Sequence, residues 1–104
     1  MNKKDVFSTG FETGYDIAQN NIVDLNPIHW NNDDIEIFIS EIIGFEQDIY
    51  RQYSPFESFA HEINESRNNE SLWESYDNGV SKGIMKRVRE WKKENRKGYH
   101  KNKQ

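Results

Sequence analysis

The sequence predicts an all-α fold, a compact bundle of about four helices followed by a mobile, basic C-terminal tail. Three observations point there. Four segments repeat apolar residues in steps of three and four, the spacing that puts them on one face of a helix. These segments are bounded by residues that cap or break helices. No stretch shows the sustained alternation of a strand, or an Asn-Gly or Asp-Gly turn between two β-like runs. A chain of 104 residues suits one domain, divided here into a helical body over 1–94 and a flexible tail over 95–104.

The first helix is expected from about Lys4 to Asn21, with Phe7, Phe11, Gly14, Tyr15, Ala18 and Ile22 on one stripe. Asn20-Asn21 and the Asn26-Pro27 turn mark its end, because the residue before a proline is pushed out of the α region. The second helix opens at Asn32-Asp33-Asp34, with Asp33 and Glu36 in the spacing of a capping box. Its stripe is Ile35, Phe38, Ile42, Phe45 and Ile49, widened by Ile39, Ile43 and Tyr53. Ser54-Pro55-Phe56-Glu57 then places a capping serine, a helix-starting proline and a returning glutamate in order. That third helix should reach about Ser66 with Phe56, Phe59, Ala60 and Ile63 inward. After the polar Arg67-Asn68-Asn69 linker, a fourth helix from near Glu70 should present Leu72, Trp73, Tyr76, Val80, Ile84, Val88 and Trp91. Apolar spacing stops at Glu94, which is why the remainder is expected to fray.

A short echo relates the first and last helices. Phe11-Glu-Thr-Gly14-Tyr-Asp-Ile-Ala18 and Tyr76-Asp-Asn-Gly79-Val-Ser-Lys-Gly83 share the order aromatic, acidic, any, glycine, bulky, any, any, small. Glycine inside a helix costs about 1 kcal/mol relative to alanine, so Gly14, Gly79 and Gly83 must gain something from a missing side chain. Close backbone approach is the simplest gain, and it predicts that these two helices cross at the small residues. The alternative is that Gly79 or Gly83 breaks the last helix in two.

Composition bounds the rest. Leu, Ile, Val and Phe total 23 of 104 residues and mean hydropathy is -1.06, close to the level at which chains stop folding. Aromatic residues at 13% argue for a folded domain, because each ring buries much area at little rotamer cost. The absence of cysteine excludes disulfides, thiolate nucleophiles and cysteine-held metals. Aliphatic runs of only two residues, such as Ile42-Ile43, and a polar stretch after Met1 predict a soluble, cytoplasmic protein without membrane attachment. Charge is divided sharply. Residues 1–81 hold 4 basic and 16 acidic side chains, while residues 82–104 hold 10 basic and 2 acidic.

No enzyme signature emerges. Gly79-x-x-x-Gly83 lacks the spacing and preceding strand of a phosphate loop, and Gly10 with Gly14 fails the dinucleotide pattern likewise. No serine sits in a nucleophile elbow, and no cofactor is implied. Glu57, His61 and Glu65 lie at i, i+4 and i+8 and form the best metal candidate, against the simpler reading of a solvated face with hydrogen bonds between neighbours. Trp91 with Lys92, Lys93, Arg96 and Lys97 could stack bases and grip phosphates, although cations at a helix C-terminus are also favoured by its dipole.

The run Tyr53-Ser-Pro-Phe-Glu-Ser-Phe-Ala-His-Glu-Ile-Asn64, followed by Leu72-Trp-Glu-Ser-Tyr-Asp-Asn-Gly-Val-Ser-Lys-Gly-Ile84, resembles small uncharacterised helical proteins of bacteriophages and related mobile elements. The resemblance implies a protein made in a bacterial host's cytoplasm that occupies a surface of a host protein, such as a defence or replication factor. It transfers no catalytic residue. The leading expectation is therefore a protein-interaction module, not an enzyme, with Asp33, Asp34, Glu36 and Glu41 as the contact residues. The alternative is a nucleic-acid-binding protein using the basic segment, and a homodimer is a further expectation from aromatics on a narrow stripe.

Overall fold

The computed structural model describes residues 1–50 and 57–103, with side chains described outside 46–50, 57 and 96–103. Helix α1 spans Lys3–Leu25, α2 Asn32–Tyr50, α3 Glu57–Asn64 and α4 Asn69–Lys103, with a 3-10 turn at Pro27–His29 between the first two. No strand occurs among the described residues, as the spacing of apolar residues requires. The expected third-helix start at Ser54, Pro55 and Phe56, and the inward positions of Ile49, Tyr53 and Phe56, lie outside the described residues.

Each boundary has a local cause. The Asn2 side chain accepts the Asp5 amide at 2.9 Å and starts α1. Asn20-Asn21 does not end it, contrary to expectation. Asn21 donates its side-chain amide back to the Ile17 carbonyl at 2.7 Å, and the helix continues far enough to bury Ile22. It stops at Asn26, whose left-handed φ of 45° lets its amide close onto the Ile22 carbonyl before Pro27.

The cap of α2 lies two residues earlier than the sequence suggested. Asn31 Oδ1 accepts the Asp34 amide at 2.9 Å, and Asp34 Oδ2 accepts the Asn31 amide at 3.0 Å. This is a reciprocal box built from Asn31 and Asp34, not from Asp33 and Glu36. Asn31→Ala should therefore cost about 1 kcal/mol, whereas Asp33→Asn should leave the unfolding midpoint within about 0.5 kcal/mol of the parent. Chemical denaturation of both variants checks the assignment.

The glycines decide how α1 and α4 meet. A Cβ at Gly10 or Gly14 would stand 2.2 and 2.1 Å from the carbonyl oxygens of Tyr76 and Val80. A Cβ at Gly79 or Gly83 would stand 2.2 and 2.1 Å from those of Phe7 and Phe11. The contact is reciprocal, each helix offering two glycines to two carbonyls of the other. One bond length separates Cβ from Cα, so each Cα lies within about 3.7 Å of a carbonyl oxygen, in reach of Cα–H···O contact. Residue numbers rise together along both helices, so α1 and α4 are parallel. The echo between them thus reflects a real crossing, and Gly79 and Gly83 lie within one continuous helix. Gly10 is a fourth member that the echo did not include.

This line of contact corrects the inward stripe of α1. Val6, Gly10, Gly14, Ala18 and Ile22 are buried, while Phe7 is exposed and Phe11 and Tyr15 are half-buried. Two backbones in contact leave room only for small side chains between them, and the rings are displaced to one flank.

Parallel neighbours need a return connection, which α2 and α3 supply. Lys92 Nζ donates to the Trp30 carbonyl, placing the start of α2 near the far part of α4. Trp30 packs on Phe38 with centroids 5.5 Å apart. At the other end, Phe59 of α3 meets Tyr76 at 5.5 Å, and Trp73 Nε1 donates to Asn64 Oδ1 at 2.8 Å. The core joins Ile35 and Ile39 of α2, Ala60 and Ile63 of α3, and Leu72, Trp73, Tyr76, Val80, Ile84 and Val88 of α4, the positions expected on those three helices. Trp91 packs against this cluster, half-buried. The helical backbone runs on to Lys103, so residues 95–103, expected as a tail, extend the trace of α4 past Glu94.

Candidate functional site

Helix α2 turns Ile35 and Ile39 into the core, with Phe38, Ile42 and Ile43 partly buried beside them. On the opposite face Glu36, Ile37, Ser40 and Glu41 are exposed among the described residues. There Asp33, Glu36, Ile37, Ser40 and Glu41 line a shallow depression, and Phe45 follows one turn later. Ile37 is 58% exposed and Phe45 63% exposed, large values for residues that would be core in most helices. A hypothetical Cβ at neighbouring Gly44 finds nothing within 4 Å, so this part of the face is open.

The helical step explains both residues. Ile37 lies two positions from Ile35 and from Ile39, which sets it on the far side of the helix at about 100° per residue. The expectation that Phe45 points inward is overturned, since ten residues of rotation carry it about 80° from Ile35 to the edge of the stripe. Ile37 was not singled out in the sequence, although its spacing held the signal.

The four acidic candidates separate. Asp33, Glu36 and Glu41 are exposed around Ile37, but Asp34 is half-buried and its carboxylate serves the cap. The face therefore presents three carboxylates around an isoleucine, with a phenylalanine beyond. Carboxylates in the first turn are also favoured by the helix dipole.

The residues proposed for nucleic acid are less concentrated than the sequence implied. Trp91 is half-buried against the core, and Lys92 is tied to the Trp30 carbonyl. Lys93 is exposed. The side chains of Arg96 and Lys97 lie outside the described residues. Arg87 is half-buried and engaged by its neighbours, its Nε donating to Gln19 Oε1 and its guanidinium lying 3.7 Å from Glu90 and 3.6 Å from Glu94.

His61 Nε2 is 3.7 Å from Glu65 Oε1 on an exposed face. The Glu57 side chain lies outside the described residues, and among those described no group of three or more His, Asp or Glu side chains could hold a metal. No helix among the described residues is long and apolar enough to cross a membrane.

The fold perturbs the titration of Tyr15. Tyr15 donates its hydroxyl to Glu90 Oε1 at 2.6 Å. That bond holds the phenol above its usual pKa of 10.0, with lost hydration and the Glu90 charge acting the same way and Arg87 opposing them. The neutral phenol is the form that folding favours. Its contribution to stability is present below the unfolded value and is lost as pH rises through the raised folded value. Glu90→Gln should move the Tyr15 titration down toward 10.0, read as phenolate absorbance with Tyr15→Phe assigning the signal. An unchanged titration would show that Glu90 is not the cause.

Comparison of the chain with protein-family models, with curated proteins and with solved structures finds no match.

Proposed function

We propose that the protein is a small protein-interaction module that docks the outer face of α2 onto a host protein and modulates or inhibits it. The observation that carries this reading is the exposure of Ile37 at 58% and Phe45 at 63% beside Asp33, Glu36 and Glu41. Exposed apolar residues ringed by charge are what interfaces use, the apolar groups for affinity and the charges for orientation and encounter rate. The partner's surface should be an apolar groove with a basic rim. The resemblance to phage-encoded proteins makes a protein of the bacterial cytoplasm, such as a defence or replication factor, the class of partner to seek.

A nucleic-acid reading through Trp91, Lys92, Lys93, Arg96 and Lys97 is the weaker one, because Trp91 and Lys92 are engaged within the fold. The deciding experiment is paired affinity capture from a bacterial host, using the parent and an Ile37→Asp/Phe45→Asp variant of unchanged helicity. A protein retained in equal proportion by the parent and lost from the variant is the expected result. Neutralising Asp33, Glu36 and Glu41 should slow association, leaving the Asn31–Asp34 cap intact. Retention unaffected by either change would sink the proposal for this face.

A further inference from the structure

Phe7, Phe11 and Tyr15 stand four residues apart along one flank of α1, beside the glycine contact line. The Phe11 and Tyr15 rings stack with centroids 6.5 Å apart and planes 20° from parallel, and Phe7 is exposed. A ridge of aromatic surface is thus left at the side of the α1–α4 pair. A shallow furrow runs along each side of it. One furrow joins Phe11 and Tyr15 to the carboxylates of Glu12 and Asp16. The other joins Phe11 and Met85 to the cations of Lys82, Lys86, Arg89 and Lys93. All six of these charged side chains are exposed. Glu90, at the edge of the basic furrow, is engaged by the Tyr15 hydroxyl and by Lys86 at 3.7 Å, so the furrow keeps its positive sign.

An aromatic ridge that is acidic on one side and basic on the other is complementary to itself under one operation. A twofold axis parallel to the ridge lays a second ridge upon the first and exchanges left for right. The acidic rim of each copy then faces the basic rim of the other along both edges. A twofold axis across the ridge would instead oppose like charges. A nucleic acid laid along the same ridge would meet Glu12 and Asp16 and be repelled on that side. We propose that this face binds a second copy of the chain, forming a parallel twofold dimer with the aromatic ridges at its centre. The surface is distinct from the outer face of α2, so this inference stands or falls separately from the proposed function.

Sedimentation equilibrium of the full chain over a range of protein and salt concentrations tests it. The parent should show a monomer–dimer equilibrium that weakens as salt rises. Glu12→Lys/Asp16→Lys and Lys82→Glu/Arg89→Glu should each weaken self-association by about tenfold or more, since each opposes like charges at both edges. Mixing the two variants in equal amounts should restore a heterodimer with near-parental affinity, because acid and base again face each other. Two variants that had merely lost their fold would not rescue one another. A parent that stays monomeric, a dimer indifferent to both reversals, or a mixture that fails to associate would each overturn the proposal. A monomeric parent that binds a single-stranded oligonucleotide, and loses it in Lys82→Glu/Arg89→Glu, would overturn it in favour of nucleic acid.

Discussion

Gly83→Ala should lower stability by about 3 kcal/mol, although alanine is the better helix former by about 1 kcal/mol. The added methyl would stand 2.1 Å from the Phe11 carbonyl oxygen and 2.7 Å from the Tyr15 amide nitrogen. Both are backbone atoms inside a helix, so no side-chain rotation relieves the overlap. The helices must separate instead. Separation would loosen all four glycine contacts together and the packing of the buried residues beside them. Gly44→Ala is the matched control, with nothing within 4 Å of the added carbon, and it should stabilise by up to about 1 kcal/mol. Opposite signs for one chemical change, read from denaturation midpoints at constant slope, would isolate the crossing as the cause. A midpoint that rises for Gly83→Ala would disprove close contact at this position.

Tyr76→Ala should cost about 3–5 kcal/mol, the scale for removing a buried aromatic ring. Tyr76 is 0% exposed and lies where three helices meet. Its ring faces Phe59 of α3 at 5.5 Å and packs edge-on to Trp73 at 5.7 Å. Its hydroxyl reaches Thr13 Oγ1 of α1 at 3.2 Å, and that threonine donates onward to the Thr9 carbonyl at 2.9 Å. Truncation removes both the ring contacts and the bridge from α4 to α1. Tyr76→Phe keeps the ring and loses the bridge, at about 1 kcal/mol. Domains of this size are stable by only about 5–15 kcal/mol, so the alanine variant should lose cooperative unfolding or melt tens of degrees lower. If the phenylalanine variant cost as much as the alanine variant, the polar bridge and not the ring packing would hold this junction.

The helices and their core faces were legible because they depend on near neighbours. Step-three and step-four spacing placed Ile35, Ile39, Ala60, Ile63, Leu72 and Tyr76 inward, and they are partners in one core. The cap of α2 was misplaced for a local reason. Asn31, Asn32, Asp33 and Asp34 can all accept an amide proton, and only the geometry of the turn selects Asn31 with Asp34. The acidic candidates divided on the same detail, Asp34 into the cap and the others around Ile37.

By itself, the sequence determined the helical class, the order of the elements, the inward faces of α4, of α2 apart from Phe45 and of the described part of α3, and the fact that glycines join the first helix to the last. Those properties follow from the 3.6-residue turn and from the cost of glycine in a helix, both of which act along the chain. Only the tertiary structure decided that α1 and α4 run parallel and that Gly10 completes the contact. It likewise decided that Val6 goes inward while Phe7, Phe11 and Tyr15 form a ridge between acidic and basic furrows. Apolar residues on both flanks of α1 satisfy the same helical spacing, and which flank is buried depends on where the α4 backbone comes to rest. That choice is set by residues more than sixty positions away, the carbonyl oxygens of Tyr76 and Val80 against Gly10 and Gly14, which the apolar spacing within α1 does not record.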